Sequence, residues 1–185
     1  MNAKRFLTGL IIRALLAIYL YALFKIILFK FRVIDAAYLR EQLMRSLTHP
    51  GYVRSRIEGS NLTPFKEIDR TIHELSPYEL AYLIGNIALF VPFGVILGLL
   101  FASRKLSLLC AFLYSLGLSL VLEGSQAVFA IGSFDVDDLL LNALGGLMGC
   151  ALFKFWTAAT RTEPSDLQDE QTIPEQAAGA LHVQG

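Results

Sequence analysis

The residues best suited to chemistry in this 185-residue chain are polar side chains inside long apolar stretches. They are Asn86, Glu123, Gln126, Asp135, Asp138 and Asn142. An ionised group costs about 2.5 kcal/mol or more in membrane hydrocarbon, so each carboxylate there needs a partner, a proton, water or a ligand. We therefore take the six as candidate binding residues, with Glu123 and Asp138 as the candidate acid and base.

Helical spacing places these residues on common faces. Ser119, Glu123 and Gln126 follow an i, i+4, i+7 pattern, which lies on one face of a helix. A second stripe of the same kind contains Asp135, Asp138, Asn142, Gly145 and Gly149. The pattern predicts two helices that each point one polar stripe inward.

Simpler roles stay open for the same residues. Asp135 and Asp138 can cap or complement the N-terminus of the helix that follows them, and this is also the interpretation of Asp137 on the neighbouring face. The amides among the six can hold helices together by hydrogen bonds without any chemistry. Glu123 suits that structural role least, because an ionisable group is costlier in a membrane than an amide.

Composition predicts the elements that must position these residues. Hydrophobic residues make up 55% of the chain and charged residues 17%, whereas about 25% of an ordinary soluble domain is charged. A helix of about 20 apolar residues crosses the roughly 30 Å of bilayer hydrocarbon. We predict an all-α integral membrane protein with four transmembrane helices packed as a bundle, spanning residues 6–29, 79–101, 105–128 and 136–156.

The polar segments form a long first loop and a tail. Within the loop, residues 37–46 have amphipathic spacing and predict a short interfacial helix. Pro50, Gly51 and Pro64 predict irregular chain after that helix. Residues 161–185 are polar and acidic without an apolar period, so they predict a disordered tail behind a membrane domain at 1–160.

Connectivity predicts that the candidate residues share one end of the bundle. The first loop, the start of span two, the end of span three and the start of span four must lie on the same side. Arg104 and Lys105 in the second loop, with no Lys or Arg in the third, favour cytoplasmic termini and place this end outside. The eight Lys and Arg residues of the first loop disagree with that orientation.

Two small-residue motifs predict close helix packing. Gly94-x-x-x-Gly98 lies in the second span, and Gly145-x-x-x-Gly149 lies in the fourth. Because glycine has no Cβ, helix backbones can approach closely at such motifs. We expect these glycines to serve packing rather than chemistry.

Charge and residue types exclude several functions. The chain has 16 basic and 16 acidic residues, so it lacks the positive charge of a nucleic-acid-binding protein. Its two cysteines and three histidines are isolated, which argues against a disulfide framework or a zinc site. We expect no cofactor. Oxygen ligands such as Glu123, Asp135 and Asp138 suit Mg²⁺ or Ca²⁺, so a divalent ion is an alternative and not the prediction.

Several motifs follow one another along the chain: Asn61-Leu-Thr-Pro-Phe65, Asn86-Ile-Ala-Leu-Phe-Val-Pro-Phe-Gly94, Glu123-x-x-Gln126, Phe134-Asp-Val-Asp-Asp138 and Asn142-Ala-Leu-Gly145. In this order and spacing they resemble the VanZ-like family of bacterial membrane proteins. The resemblance covers roughly residues 12–158 and adds Asn61 to the candidate binding residues. It implies a multi-pass cell-envelope protein associated with resistance to glycopeptide antibiotics of the teicoplanin type, but it implies no reaction.

Three functional hypotheses are consistent with these residues. The first is a protein of the bacterial cytoplasmic membrane whose polar pocket binds or modulates an envelope component, such as a membrane lipid or lipid-linked intermediate. Four first-loop cations above the pocket could then meet a lipid phosphate: Arg54, Arg56, Lys66 and Arg70.

The second is an enzyme in which Glu123 and Asp138 act on such a phosphate as acid and base, or through Mg²⁺. The third is a proton-coupled carrier with Glu123 as its titrating group. The oligomeric state is left open.

Overall fold

The computed structural model describes residues 3–29, 35–102 and 106–160, and within these ranges the chain folds into seven helices. Four are long: α1 (Ala3–Phe29), α5 (Pro77–Leu100), α6 (Leu108–Phe129) and α7 (Val136–Ala159). Three short helices lie between α1 and α5: α2 (Ala36–Thr48), α3 (Pro50–Glu58) and α4 (Lys66–Glu74). The predicted tail and the cations Arg104 and Lys105 lie outside the described residues.

The four long helices have the length and composition of membrane spans. The shortest, α6, has 22 residues and a length of about 33 Å at about 1.5 Å per residue, which is enough for about 30 Å of hydrocarbon. Every end lies within three residues of the bound predicted from the apolar runs. The predicted all-α membrane bundle is therefore confirmed.

The closest packing in the bundle is between α5 and α7, and glycines make it possible. A Cβ at Gly94 would lie 2.0 Å from the carbonyl oxygen of Gly146, and a Cβ at Gly149 would lie 2.0 Å from that of Val91. No methyl group fits at such distances, so the two backbones touch directly. The predicted packing role of the two glycine motifs is confirmed.

The outer helix of the bundle is α1, whose long apolar surface is mostly exposed. Two polar contacts tie it to the other spans. The Tyr19 hydroxyl donates to the carbonyl of Leu89 in α5, and the Gln126 side chain of α6 donates to the carbonyl of Ile27 at 3.3 Å. Leu23 adds a buried apolar contact in the same interface.

The first loop is more ordered than its sequence predicts. The expected amphipathic helix is present as α2, and the Asp35 side chain caps it by accepting the N–H groups of Ala37 at 2.9 Å and Tyr38 at 3.0 Å. The prediction of irregular chain after it is wrong, because α3 and α4 follow. Pro50 begins α3, since the first position of a helix needs no N–H donor and tolerates the fixed φ of proline.

Helices α2 and α3 lie across the end of α6. Tyr38 donates its hydroxyl to the carbonyl of Ala130 at 3.1 Å, and Ser46 donates to that of Val128 at 2.7 Å. The last carbonyls of a helix have no partners within it, so these side chains satisfy groups that would otherwise be orphaned. The contacts confirm that the first loop and the end of the third span share one side of the bundle.

Candidate functional site

The carboxylate of Asp137, in the first turn of α7, holds the N-terminus of α4. It accepts backbone N–H bonds from Phe65 at 2.5 Å, Glu67 at 2.7 Å and Ile68 at 3.4 Å. Asp137 is only 1% exposed. The first N–H groups of a helix lack intrahelical partners and carry partial positive charge, so a buried anion there is favourable. The contact fixes the first loop to the fourth span.

The sequence interpretation of Asp137 as a complement to its own helix is therefore incomplete. The residue that caps α7 is Asp135, whose Oδ1 accepts the backbone N–H of Asp137 at 2.8 Å. The side chain of Asp137 instead bonds to backbone groups about 70 positions earlier in the chain. No helical periodicity predicts a partner at that separation.

Asp135 also binds Asn61, the residue that the family motif added to the candidates. The Asn61 side-chain amide donates to Oδ1 of Asp135 at 2.9 Å, and it lies 3.5 Å from Oδ2 of Asp137. The backbones of Asn61 and Asp135 form an isolated parallel bridge, in which the N–H of Val136 donates to the Asn61 carbonyl at 3.0 Å. The first loop thus reaches α7 through both side chain and backbone.

Glu123 is fully inside the bundle, with 1% of its surface exposed. Its Oε2 accepts the backbone N–H of Asp135 at 3.1 Å. This bond ties the last turns of α6 to the residue that caps α7, across the third loop. Glu123 is thus placed to orient Asp135.

Asp138 faces α5, where two side chains one helical turn apart bind its carboxylate. The Tyr82 hydroxyl lies 2.6 Å from each oxygen of that carboxylate, and the Asn86 amide donates to Oδ1 at 2.6 Å. Sequence reasoning found Asn86 and Asp138 but missed Tyr82. The signal was present, because Tyr82 precedes Asn86 by four residues and so lies on the same helical face.

Two predicted residues make their contacts elsewhere. Gln126 points to α1 through Ile27, and the Asn142 amide donates to the Ser119 hydroxyl at 2.8 Å between α6 and α7. Both are buried, and their contacts fit the interhelical hydrogen bonds that the sequence left open. The start of α7 therefore gathers five of the seven predicted binding residues, namely Asn61, Asn86, Glu123, Asp135 and Asp138.

An open cavity of about 190 Å³ lies beside these contacts, between α4 and the start of α5. We call it the polar pocket, and its walls are Glu67, Arg70, Thr71, Tyr78, Glu79, Tyr82 and Asp135. Among the predicted binding residues, all of which the structure describes, only Asp135 lines it. Tyr82 connects the pocket to Asp138.

Arg70 and Glu79 form the charged wall of the polar pocket. Arg70 lies 2.7 Å from a carboxylate oxygen of Glu67 and 3.2 Å from Oε1 of Glu79. Oε2 of Glu79 is buried, and no described residue donates a hydrogen bond to it. A buried oxygen without a donor is unfavourable, and because this oxygen is enclosed by protein it is not open to the polar pocket.

The cations expected to meet a lipid phosphate are largely held by protein groups. Arg56 donates to the carbonyls of Ala127 at 3.2 Å and Gly132 at 2.5 Å, so its guanidinium hydrogen-bonds backbone carbonyls at the C-terminal end of α6 and in the loop that follows. Arg54 pairs with Glu58 at 2.6 Å on the surface. With Arg70 already paired in the pocket wall, three of the four cations have protein partners, whereas Lys66 is exposed.

The divalent-ion alternative is not supported by the side-chain positions. In the described part of the chain, no three acidic, His or Cys side chains are grouped so that they could hold a metal ion. Glu123, Asp135 and Asp138, the acids considered for such a site, each accept the protein hydrogen bonds given above.

Four apolar spans with buried carboxylates and a polar pocket at one end define a multi-pass helical membrane protein. More particularly, the chain belongs to the VanZ/LLP1 family, whose model matches residues 16–157. It is 32% identical over 141 residues to Protein VanZ of Enterococcus faecium, an alignment that covers 76% of this chain and 72% of that protein. The resemblance seen in the motifs is thus confirmed. No solved structure matches the chain.

Proposed function

We propose that this protein lies in the bacterial cytoplasmic membrane with the polar pocket on the outer side, where it binds a cell-envelope component. Through this binding it contributes to resistance against glycopeptide antibiotics of the teicoplanin type, as the family resemblance implies. The observation that carries the proposal is the pocket itself, an open and charged cavity at one end of a membrane bundle.

The carboxylates beside the pocket are arranged as fixed acceptors, which suits binding. Asp137 and Glu123 accept backbone N–H bonds in fully buried positions, so their geometry is set before any ligand arrives. These bonds in turn position the pocket residues Glu67 and Asp135. Groups that are already ordered lose less conformational freedom on binding, which favours affinity.

A resistance assay in a susceptible Gram-positive host tests the proposal. Tyr82→Phe removes the hydrogen bond that connects the pocket to α7, and Asp138→Asn removes the charge of its acceptor. Loss of a hydrogen bond to a charged group that orders the pocket is expected to weaken binding of the envelope component by about tenfold or more. We therefore expect the inhibitory concentration of teicoplanin to fall toward that of the empty-vector strain. Immunoblots of membrane fractions should show unchanged protein levels.

Glu58→Gln is the matched control, because Glu58 is exposed and pairs with Arg54 away from the pocket. We expect it to retain wild-type resistance. Full resistance in the Tyr82→Phe and Asp138→Asn strains, or an equal loss in the Glu58→Gln strain, would contradict the proposed function.

An acid/base enzyme is the second candidate, and the short contact between Tyr82 and Asp138 favours it. Tyr82 lines the cavity and its hydroxyl bonds to Asp138 behind it, so the pair can pass a proton between a bound ligand and that carboxylate. Purified protein incubated with polyprenyl-phosphate or pyrophosphate lipids, with and without Mg²⁺, separates the candidates. Product formation that disappears in Asp138→Asn would favour the enzyme, whereas retention without product favours the binder.

A further inference from the structure

Another cavity, of about 470 Å³, lies between the start of α1 and the end of α5. We call it the basic groove, and it is bordered by Lys4, Thr8, Gly9 and Arg13 of α1 and by Leu99 and Leu100 of α5. Leu99 follows Glu79 by 20 residues in the same helix, so the groove lies about 30 Å along α5 from the polar pocket. What the groove binds is therefore independent of the proposed function.

The positive charge of the basic groove has no acidic partner. The sequence contains no Asp or Glu in residues 1–34, 80–122 and 139–162, and these ranges include every helix end on this side of the bundle. In the part of the chain that the structure describes, no carboxylate pairs with Lys4 or Arg13. After α5 the sequence continues with Arg104 and Lys105, which add positive charge only. The groove therefore attracts an anion.

Arg13 carries this charge into the membrane span of α1. The apolar segment begins at Phe6, and Arg13 follows seven residues later, about 10 Å further along the helix. A guanidinium stays charged in a protein, and it is costly among lipid tails unless water or an anion reaches it. Gly9 lies one turn earlier, and no described atom comes within 4 Å of its Cβ position, so the groove is open there. An anionic head group drawn into the groove would supply the missing partner.

The other walls of the basic groove suit a lipid rather than a free ion. Leu99 and Leu100 form its α5 side, and Leu99 is 39% exposed. The Thr8 hydroxyl already donates to the Lys4 carbonyl at 2.9 Å, so the two cations are the donors left for a ligand. The volume equals roughly 16 water volumes at about 30 Å³ each, which accommodates a head group with the first carbons of its chains. Those carbons can cover the leucines while phosphate oxygens face the cations.

We infer that the basic groove binds the phosphate of an anionic membrane phospholipid, with Arg13 as the principal ligand of its oxygens and Lys4 nearer the water. Arginine can hold two phosphate oxygens at once through parallel N–H bonds. A head group without an ammonium of its own fits best, because a zwitterionic lipid would bring a further positive charge toward Lys4. No covalent step is involved.

Native mass spectrometry of the full chain in dodecyl maltoside micelles tests this assignment. The probes are phosphatidylglycerol and phosphatidylcholine with identical acyl chains, and glycerol 3-phosphate as the free head group, all at equal total concentration. We expect phosphatidylglycerol to bind about tenfold or more tightly than phosphatidylcholine. Glycerol 3-phosphate should bind at least about tenfold more weakly than phosphatidylglycerol, because it lacks the acyl chains.

Two variants locate the site on α1. Arg13→Gln removes the guanidinium and should lower phosphatidylglycerol affinity by about tenfold or more. Lys4→Gln, two residues before the span, should lower it by about threefold, as expected for a charge close to water. Both side chains are exposed, so we expect both variants to fold. Arg54→Gln is the control, because it removes one positive charge from an exposed ion pair in α3, and it should bind as wild type.

Equal affinity for phosphatidylcholine and phosphatidylglycerol would overturn the inference, as would wild-type affinity in both Arg13→Gln and Lys4→Gln. A loss in Arg54→Gln as large as that in Arg13→Gln would also overturn it, because net charge and not the groove would then govern binding. Glycerol 3-phosphate that binds as tightly as phosphatidylglycerol would overturn the membrane source of the ligand.

Discussion

At the start of α7, three acidic residues within four positions have three different sets of partners. Asp135 caps its own helix and binds Asn61, Asp137 binds the N-terminus of α4, and Asp138 binds Tyr82. Successive helical residues point about 100° apart, so neighbouring side chains reach different elements. One short acidic motif can therefore join the first loop, α5 and α7 at a single point.

Replacing Asp137 with Asn is expected to destabilise the fold. The amide nitrogen would face backbone N–H groups of α4 and leave buried donors unpaired, which costs about 3 kcal/mol. SDS titration in mixed micelles, followed by circular dichroism, measures the free energy of unfolding. Asp69→Asn in α4 is the control, because that side chain is 73% exposed, and it should change stability by at most about 1 kcal/mol. Similar losses in both variants would contradict the role assigned to Asp137.

At the scale of elements, the α5–α7 pair forms the rigid centre of the bundle. Gly145 and Gly149 of α7 lie against backbone carbonyls of α5, and Gly145 would place a Cβ 2.2 Å from the carbonyl oxygen of Ile87. Phe90 is fully buried beside them. Because Asn86 and Tyr82 lie on α5 and Asp138 on α7, this close approach also brings the pocket contacts within hydrogen-bonding distance.

Gly149→Ala is expected to separate the two helices. Its Cβ would lie 2.0 Å from the Val91 carbonyl oxygen, which is backbone and cannot rotate away, so we expect a loss of about 1–3 kcal/mol in the free energy of unfolding. Gly117→Ala in α6 is the matched control, since nothing lies within 4 Å of its Cβ position. It should leave stability unchanged or raise it by up to about 1 kcal/mol through helix propensity. A Gly149→Ala protein as stable as the Gly117→Ala protein would refute this packing.

At the scale of the whole molecule, the two ends of the bundle differ in the elements that the described part of the chain places there. The three short helices, the third loop and the polar pocket lie at one end, and the end of α5, the start of α6 and the end of α7 lie at the other. Several first-loop cations have protein partners, as shown by Arg54 with Glu58 and Arg56 with the end of α6. We expect the pocket end to face outward, following Arg104 and Lys105 in the second loop.

Cysteine labelling tests this orientation. The native Cys110 and Cys150 are first replaced by Ala, and a single cysteine is then introduced as Ser133→Cys or Thr160→Cys, both at exposed positions. We expect a membrane-impermeant maleimide to label Ser133→Cys in intact cells and Thr160→Cys only after permeabilisation. The opposite pattern would reverse the orientation and place the polar pocket on the cytoplasmic side.

The sequence by itself determined the four spans, the helix at α2 and the polar candidates, because length, hydropathy and helical period are local properties. The shared end of the bundle followed from connectivity alone. Tertiary structure decided which side chains meet. Phe65 and Asp137 are 72 positions apart, and their contact depends on the path of the loop between α1 and α5, which no local pattern specifies.

The polar pocket also required the tertiary structure. Its walls come from α4, α5 and the residue that begins α7, and a cavity exists only where those surfaces are brought together. Glu79 lies in the first turn of α5, where an acidic residue is common, so the sequence alone does not distinguish it. Its significance comes from the Arg70 partner and the burial that packing imposes, and neither is a property of the residue's own segment.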